Sequence, residues 1–417
     1  MPVHPTICLE KKYKYIIEIR TTILRFKLTS EFYQDQKFEN VSLENWRSYP
    51  FNRIAFSNIE KILPISIIKK GNNNSNTTFK YQDLSSLSFT NKYKENQNLT
   101  DFLKKNFCDA FVVIKQGNKI YEWFKENEQK DKQHILFSVS KSLTGLATGL
   151  LIENNLIDIN KEITFYIPEV KNSAYDEATI KNLLDMTIST NFKEEYLDKS
   201  GLFNLYRQAT GFNQKNIDTK IGLKGFLKLM PKSQKPHGTQ YQYCSPNTDL
   251  LGWIIERVTN KKYSEFFSEE IFQKCKPNFN AFITLDDEGS PRTAGGICMN
   301  IEDLSKIAEL VRCRGSIENK QIIKENTIAE LIDYKAEHPW PSVEKGRLFP
   351  KGGYRSKWYQ TGHNNKEICA IGIHGQWIWI DPIKEISIVM FSSRKMPLSI
   401  TKDLNFTLLC KEICITI

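Results

Sequence analysis

The most chemically informative residues in this chain are a serine and a lysine three positions apart, Ser138 and Lys141, in the stretch F-S-V-S-K. Residues at i and i+3 share one face of a helix, so the lysine amine can reach the serine oxygen across a single turn. A lysine buried at the positive end of a helix shifts toward its neutral, basic form and can then activate the hydroxyl. This spacing therefore indicates nucleophilic catalysis by a serine.

The spacing alone is not specific, because it recurs at Ser66/Lys69, Ser342/Lys345, Ser392/Lys395 and Ser399/Lys402. What distinguishes Ser138 is the long apolar stretch with helical periodicity that follows it, S-V-S-K-S-L-T-G-L-A-T-G-L-L-I-E. Gly145 and Gly149 would each cost about 1 kcal/mol inside this helix, so they predict close packing on both of its sides and a central position. The residues alone leave an alternative open, in which Ser138 caps the helix and Lys141 remains a solvated charge.

A serine–lysine pair also needs a proton donor for the leaving group, and a tyrosine phenol can serve if it is held near both partners. The stretch P-H-G-T-Q-Y-Q-Y-C-S-P offers Tyr241 and Tyr243, on the same side of an extended segment. Ser245 as N-cap and Pro246 at the first helical position mark the start of the helix that follows. The two tyrosines could equally pack as core aromatics, and the pattern does not decide between these roles.

The segments around these residues predict an α/β (α+β) fold. Two β-rich runs around Gly117-Asn118 predict a hairpin, and two or three further strands are predicted near the end of the chain. Helical patterns dominate between about 155 and 285, and a last helix is predicted from about Ile400. Strands from both ends of the chain are therefore expected to pair in one antiparallel sheet flanked by helices, with a mainly helical lobe inserted between them.

This organisation also predicts a domain division. We expect a loosely attached extension over residues 1–45 and one domain over 46–417, with a sheet lobe at 46–154 and 286–417 and a helical lobe at 155–285. A chain of 417 residues with 40% hydrophobic side chains is long enough to bury a substantial core in such a domain.

Composition excludes several classes of function. The net charge is +10, but the lysines are scattered and no arginine-rich stripe or RNA-binding motif is present, so no nucleic-acid partner is expected. Neither C-x-x-C nor H-E-x-x-H occurs, so we expect no metal site, no cofactor and no disulfide framework, and the nine cysteines suit a reducing compartment. The N-terminus is broken by charges, and no apolar stretch reaches the length of a membrane span. The protein is therefore expected to be cytoplasmic, and its oligomeric state cannot be inferred from the sequence.

Five motifs occur in an order that resembles a known family. They are F-S-V-S-K-S-L-T-G, L-L-D-M-T, P-H-G-T-Q-Y-Q-Y-C-S-P-N-T-D-L-L-G-W-I-I-E, A-G-G-I-C-M-N-I-E-D-L and G-I-H-G-Q-W-I-W-I-D-P. Together they resemble the serine hydrolases related to class C β-lactamases, and among these the 6-aminohexanoate-dimer (nylon oligomer) hydrolase type. The resemblance runs from about Asn45 to near Pro397 and implies a β-lactamase/transpeptidase-like fold.

The resemblance also implies a role for each matching residue. Ser138 is similar to the nucleophile that forms an acyl-enzyme, Lys141 to its base, and Tyr243 to the tyrosine that relays a proton to the leaving group. The backbone amides of Ser138 and Ile373 match the oxyanion hole, where fixed donors meet the charge that develops on the tetrahedral intermediate. The activity implied is hydrolysis of small esters or linear amides.

The same resemblance places four further residues at the substrate cleft: Tyr196, Ser245, His374 and Gly375. Tyr196 lies where amide-cleaving members carry a loop tyrosine near the leaving nitrogen, although an exposed loop aromatic would look the same in the sequence. Ser245 takes the third position of the family's Y-x-[SN] motif. We favour His374 as a turn residue that lines the cleft over a catalytic base.

The chain also departs from the family pattern. Where β-lactamases carry the lysine of a K-T-G strand, the corresponding strand has Ala370, so efficient hydrolysis of antibiotics is not expected. The missing lysine also argues against the main alternative, a penicillin-binding or D-amino-acid peptidase-like protein. A catalytically silent scaffold of the same fold is a third hypothesis, and the joint presence of Ser138, Lys141 and Tyr243 speaks against it.

Overall fold

The computed structural model describes residues 38–72, 75, 77–196, 198, 200–216, 221–333 and 348–417. The strands in these ranges are β1 Ile65–Ile68, β2 Ser88–Thr90, β3 Asn96–Asn98, β4 Cys108–Lys115, β5 Asn118–Phe124, β6 His134–Ile135, β7 Ala281–Thr284, β8 Ile297–Met299, β9 Ser316–Ile317, β10 Lys320–Gln321, β11 Gly353–Arg355, β12 Trp358–Gln360, β13 Ile368–Gly372, β14 Gln376–Asp381 and β15 Ile386–Ser392. The α-helices are α1 Asn52–Ala55, α2 Leu99–Lys105, α3 Val139–Glu153, α4 Ile163–Tyr166, α5 Ile180–Leu184, α6 Leu202–Ala209, α7 Leu223–Lys228, α8 Pro246–Thr259, α9 Tyr263–Phe267, α10 Ile301–Arg312, α11 Glu325–Ile332 and α12 Ile400–Thr416.

A seven-stranded sheet forms the middle of the molecule, with the strand order β11-β12-β13-β14-β15-β4-β5. Every neighbouring pair in it is antiparallel. β15, from the end of the chain, pairs along its length with β4, so that Met390 lies opposite Phe111. This pairing confirms the prediction that strands from both ends of the chain form one antiparallel sheet.

The turn of the β4–β5 hairpin lies one residue earlier than the sequence predicted. Its two residues are Gln116 and Gly117, and both have positive φ, 49° and 76°. Two successive left-handed residues give a two-residue turn whose twist matches that of the flanking strands. Asn118 therefore begins β5 instead of lying in the turn, and Gln116 takes a conformation that the sequence pattern assigned to glycine and asparagine.

Helix α3 is packed between the sheet and the helical part of the molecule, against β13, β14 and α8. A Cβ added to Gly145 would lie only 2.3 Å from the carbonyl oxygen of Ser356, and one added to Gly149 only 2.8 Å from Thr327 Cγ2. Neither position has room for a side chain. The structure thus confirms that the two glycines allow close packing and that this helix is central.

The sheet is covered by helices. The strands β13, β14 and β15 are buried along their whole length, as expected for strands with helices on both faces. α10 packs against β4, β14 and β15, and Phe406 of α12 packs on Trp377 of β14 with 4.8 Å between the ring centroids.

A second, smaller hydrophobic core lies beside the start of α3. Trp46 is fully buried in it and stacks on Phe137, with 6.1 Å between the ring centroids. Val41 and Leu43 pack against this core, so the described part of the predicted extension is attached to the body of the protein. Residues 1–37 lie outside the described residues, and the division into lobes stays a prediction.

The cysteines in the described residues are all buried except Cys313, which is exposed. In the described part of the chain, no cluster of three or more His, Cys, Asp or Glu side chains is arranged to hold a metal ion. No described helix combines the length and the apolar character that crossing a bilayer requires.

Candidate active site

Ser138 lies directly before α3 and lines a cleft. The residue before it, Phe137, has a φ of +43°, a conformation that is costly for a bulky side chain and is found at functional turns. The Ser138 side chain makes no capping hydrogen bond to the helix, and it stays partly exposed while its neighbours in the chain are buried. The alternative in which Ser138 only caps the helix is therefore wrong.

The amine of Lys141 lies next to the Ser138 hydroxyl. Its Nζ is 2.9 Å from Ser138 Oγ and 2.7 Å from the carbonyl oxygen of Ala294, and it lies 5.0 Å from the centre of the Tyr243 ring. The side chain is only 1% exposed, so it is not a solvated charge. The structure thus brings together the three side chains that the sequence singled out.

The surroundings of Lys141 favour the neutral amine. Burial lowers the pKa of Lys141 to about 7; the charge of Glu194 opposes this decrease, and the charge of Arg292 adds to it. The two close partners of Nζ are a hydroxyl and a carbonyl oxygen, and neither carries the negative charge that would hold a proton on the amine. A large fraction of this amine is therefore uncharged at neutral pH.

A buried ion pair anchors the backbone beside Lys141. Asp249 of α8 accepts hydrogen bonds from the Arg292 guanidinium and from the Ala294 backbone amide, the latter at 2.8 Å. The Tyr206 hydroxyl donates to the same carboxylate. Asp249 therefore anchors the backbone at the residue whose carbonyl oxygen contacts Lys141. The sequence analysis assigned no role to this pair, whose members lie 43 residues apart.

Tyr243 brings a phenol to the same corner of the cleft. Burial raises the pKa of Tyr243 well above its ordinary value, the charge of Glu194 raises it further, and a hydrogen bond with the Ser138 side chain opposes the increase. The phenol therefore stays protonated near neutral pH and can donate its proton. Tyr241 packs instead in an aromatic cluster, with its ring 5.3 Å from that of Tyr354.

The cleft consists of two compartments that meet at Ser138. The first compartment has a volume of about 800 Å³ and is lined by Arg47, Lys141, Arg207, Ser245, Arg292 and His374, among others. The second compartment has a volume of about 550 Å³ and is lined by Phe192, Glu194, Gln242, Tyr243, Tyr359 and Gly375, among others. The residues that border both compartments are Ser138, Tyr196, Ile373 and Pro397.

Glu194 is a carboxylate of the cleft that the sequence analysis missed. Its Oε2 accepts a hydrogen bond from the Tyr196 hydroxyl at 2.9 Å, and its Oε1 accepts one from the backbone amide of Ser245, directly before α8. A carboxylate is stabilised at the N-terminus of a helix, where the backbone amides carry partial positive charge. The contact with Ser245 spans 51 residues, and no local sequence pattern signals it.

Tyr196 and Ser245 both lie at the cleft, as the resemblance implied. Tyr196 is half-buried between the two compartments; its ring packs on Phe203 at 5.1 Å, and its carbonyl oxygen accepts a hydrogen bond from Arg207 at 2.6 Å. It is therefore not an exposed loop aromatic. Ser245 precedes Pro246 at the start of α8, its side chain makes no capping hydrogen bond, and the residue lines the first compartment.

The end of β13 lies against the segment that leads into α3. A Cβ added to Gly372 would be 2.6 Å from the carbonyl oxygen of Leu136, so glycine alone permits this approach. The next backbone amide, that of Ile373, borders the cleft together with Ser138. Among the backbone hydrogen bonds of the described turns and loops, neither of these two amides is a donor.

His374 and Gly375 form a turn that lines the cleft and contacts Arg394 and Pro397. The His374 ring Nδ1 lies 2.7 Å from the carbonyl oxygen of Arg394, to which it donates, and the His374 amide donates to Pro397 at 2.9 Å. Burial lowers the pKa of His374 to about 4, so the ring is neutral at pH 7. Gly375 has a φ of 92°, and a Cβ there would lie 2.5 Å from Arg394 Nε. These contacts agree with the favoured role of His374 as a turn residue.

The chain has clear relatives among known proteins. Residues 96–406 match the model of the β-lactamase family. The chain is 29% identical over 353 residues to the 6-aminohexanoate-dimer hydrolase of Paenarthrobacter ureafaciens, an alignment that covers 84% of this chain and 88% of that protein. It is also 28% identical over 226 residues to the teichoic acid D-alanine hydrolase of Staphylococcus aureus strain MRSA252, covering about half of each protein, 51% and 50%.

A solved structure agrees with these matches. It is that of a Bacillus anthracis protein provisionally named a 6-aminohexanoate-dimer hydrolase, which superposes with a TM-score of 0.82 at 23% identity and covers 91% of this chain and 97% of that one. At this identity the likeness concerns the fold. The family resemblance and the fold expected from the motifs are both confirmed.

Proposed function

Because this chain belongs to the β-lactamase family, we propose that it is a serine hydrolase that cleaves small esters or linear amides through an acyl-enzyme on Ser138. The observation that carries this proposal is the buried Lys141 amine, which lies 2.9 Å from Ser138 Oγ and has a pKa of about 7. A neutral amine at hydrogen-bond distance can accept the proton of the hydroxyl, whereas an ammonium group cannot.

Acylation begins when Ser138 Oγ attacks the substrate carbonyl and its proton passes to Lys141 Nζ. The carbonyl oxygen takes up the electron pair and becomes an oxyanion, which the backbone amides of Ser138 and Ile373 stabilise. Losing one donor of this kind typically costs about 3 kcal/mol of transition-state stabilisation. One of these amides lies at the start of α3 and the other directly after β13, so packing fixes both before the substrate binds.

The tetrahedral intermediate collapses when its bond to the leaving group breaks. Tyr243 donates its phenol proton to the departing oxygen or nitrogen, and the ammonium of Lys141 returns a proton to the phenolate. Burial makes the phenolate unfavourable, so the return of the proton is strongly downhill. Water then attacks the acyl-enzyme with the same groups acting in reverse, which releases the acid and restores Ser138.

Tyr196 is a candidate for orienting the leaving group. Its hydroxyl is held by Glu194 at the border of the two compartments, beside the compartment that Tyr243 lines. The two named relatives act on a 6-aminohexanoate dimer and on teichoic acid D-alanine. Both names support small acyl substrates in general, without singling out one natural substrate for this chain.

The test is turnover of p-nitrophenyl acetate and reaction with a labelled penicillin, each compared with Ser138→Ala. Ser66→Ala is the matched control, because Ser66 has the same spacing to a lysine but lies on β1, where its Oγ bonds to Ser264 Oγ. We expect ester turnover that is lost in Ser138→Ala and kept in Ser66→Ala. A stable penicillin adduct without ester turnover would favour the penicillin-binding alternative, and no reaction with either compound would favour a silent scaffold.

A further inference from the structure

We propose that the first compartment selects acyl groups that end in a carboxylate or another small anion, and that Arg47 and Arg207 bind this group. The inference rests on the proposed function, because it concerns the substrate of the same serine.

Positive charge dominates the lining of the first compartment. Apart from Lys141, whose amine is largely neutral, its basic side chains are Arg47, Arg207, Arg292 and Lys395, and its lining carboxylate is that of Glu44, which is exposed. Of these cations, Arg292 is neutralised by its ion pair with Asp249. The compartment therefore holds more positive charge than the protein itself compensates, which favours an anionic occupant.

Arg47 is the clearest unpaired charge. Its Nη2 donates to the carbonyl oxygen of Phe212 and to Asn213 Oδ1, both neutral acceptors, and its guanidinium lies over the Trp46 ring at 5.1 Å. Within the described residues its Nε and Nη1 donate to no acceptor, and no carboxylate lies within ion-pair distance. Burial and the charges of Arg207 and Arg292 lower the pKa of Arg47 to about 9, so the group is still charged at pH 7 in a setting that disfavours its charge.

Arg207, on α6, contributes a second guanidinium group to the lining of the first compartment. Its guanidinium stacks on the Phe203 ring at 4.3 Å, and its Nη2 donates to the Tyr196 carbonyl at 2.6 Å. No carboxylate in the described part of the chain forms an ion pair with it either. Both guanidinium groups thus lie over an aromatic ring and donate to neutral acceptors, with further N–H groups left over. A planar guanidinium held in this way suits a carboxylate, which it can bind through two parallel hydrogen bonds.

The position of Tyr243 indicates which part of the substrate enters this compartment. Tyr243, the proposed donor to the leaving group, lines the second compartment and not the first. The leaving group therefore departs on that side of Ser138, and the acyl group extends to the other side, toward the arginines. A half-ester or half-amide of a dicarboxylic acid has the required chemistry, since its free carboxylate lies at the far end of the acyl chain.

The experiment compares kcat/KM for mono-p-nitrophenyl adipate, whose acyl chain ends in a carboxylate, with that for p-nitrophenyl hexanoate, which has a similar length and no charge. Both rates are corrected with Ser138→Ala. We expect the wild type to prefer the adipate by about tenfold or more, and Arg47→Gln and Arg207→Gln to bring the ratio close to one. Arg257→Gln, a change on the exposed end of α8 where Arg257 pairs with Glu169, should leave the ratio unchanged.

Two results would overturn the inference: equal or better kcat/KM for the hexanoate in the wild type, or a preference that neither arginine variant reduces. If one variant fails to fold, judged by its thermal melting curve, the other decides. The wild type also gives an independent measure, because the preference should shrink between about 0.02 and about 0.5 M NaCl if it is electrostatic. Absence of Ser138-dependent turnover of both esters would instead contradict the proposed function, so the two failures are distinguishable.

Discussion

Two lysines at α3, Lys141 within the helix and Lys357 packed against it, share the same burial and differ in what they touch. Lys141 and Lys357 are each 1% exposed, and burial lowers the pKa of both. The Lys141 amine lies 2.9 Å from the Ser138 hydroxyl in the cleft. The Lys357 amine donates to the carbonyl oxygen of Leu183 at 2.5 Å, and Lys357 is not among the residues that line the two compartments.

This difference shows that burial alone does not make a lysine a catalytic base. Burial supplies a neutral amine at either position, but chemistry also needs a hydroxyl within reach and access for a substrate. Lys357 serves the packing instead: its carbonyl oxygen accepts a hydrogen bond from Ser142 at 2.7 Å, and its side chain lies against Gly145. We therefore expect one lysine to govern activity and both to affect stability.

The largest expected effect is the loss of activity when Lys141, but not Lys357, is replaced. Lys141→Met removes the base while keeping the length and apolar stem of the side chain, so kcat/KM for p-nitrophenyl acetate should fall by about 1,000-fold or more. Lys357→Met should reduce it by less than about tenfold, because Lys357 touches neither nucleophile nor substrate. Steady-state kinetics on both purified variants measure the difference.

Circular dichroism and a melting curve control for folding in this pair. A loss of the same size in both variants, with both folded, would show that the Lys141 amine has no special role. Full activity in Lys141→Met would remove the proposed base altogether.

The next effect concerns the leaving group. Tyr243→Phe removes the donated proton and should slow cleavage of an amide or alkyl ester by about 100-fold. The effect on a p-nitrophenyl ester should be much smaller, because p-nitrophenolate departs without a proton. Tyr241→Phe is the matched control, since that ring packs beside Tyr354 away from the serine. Equal effects of Tyr243→Phe on both kinds of substrate would indicate a structural role for the phenol.

The sequence predicted the local part of the site and missed the part built by distant contacts. Ser138 and Lys141 are one helical turn apart, so their pairing follows from spacing, and the Ser245-Pro246 signal located the start of α8 for the same reason. The Ala294 carbonyl is 153 residues from Lys141, and Lys357 is 174 residues from Leu183. Only tertiary packing brings residues so far apart in the sequence into contact, and a local sequence pattern cannot predict such contacts.

The family resemblance extended the prediction beyond local spacing, but only to residues that the family motifs contain. It placed Tyr243 and Ile373 at the cleft, where the structure has them. It gave no signal for Glu194, whose carboxylate bonds to both Tyr196 and the Ser245 amide, or for the charge of Arg47. Both residues line the cleft but lie outside the five ordered motifs.

The smallest expected effect is on stability, and here the two lysines should behave alike. Burial lowers the pKa of Lys141 from 10.5 to about 7, so between these values the unfolded chain holds a proton that the folded protein lacks. Unfolding then takes up a proton, and the free energy of unfolding rises with pH by up to about 1.4 kcal/mol per pH unit. Lys141→Met lacks this contribution. The free energy of unfolding of the wild type, relative to that of the variant, should therefore increase by roughly 2 kcal/mol between pH 7 and pH 9.

Urea denaturation of the wild type, Lys141→Met and Lys357→Met at both pH values measures this gain. Since burial also lowers the pKa of Lys357, the comparison with Lys357→Met should show a gain of the same sign. A difference between wild type and Lys141→Met that does not change with pH would mean that Lys141 keeps its ordinary pKa, and the neutral base would be lost from the mechanism. If both lysines show the same sign in stability but only Lys141→Met loses most of the activity, stability depends on burial, whereas catalysis also needs the neighbouring hydroxyl.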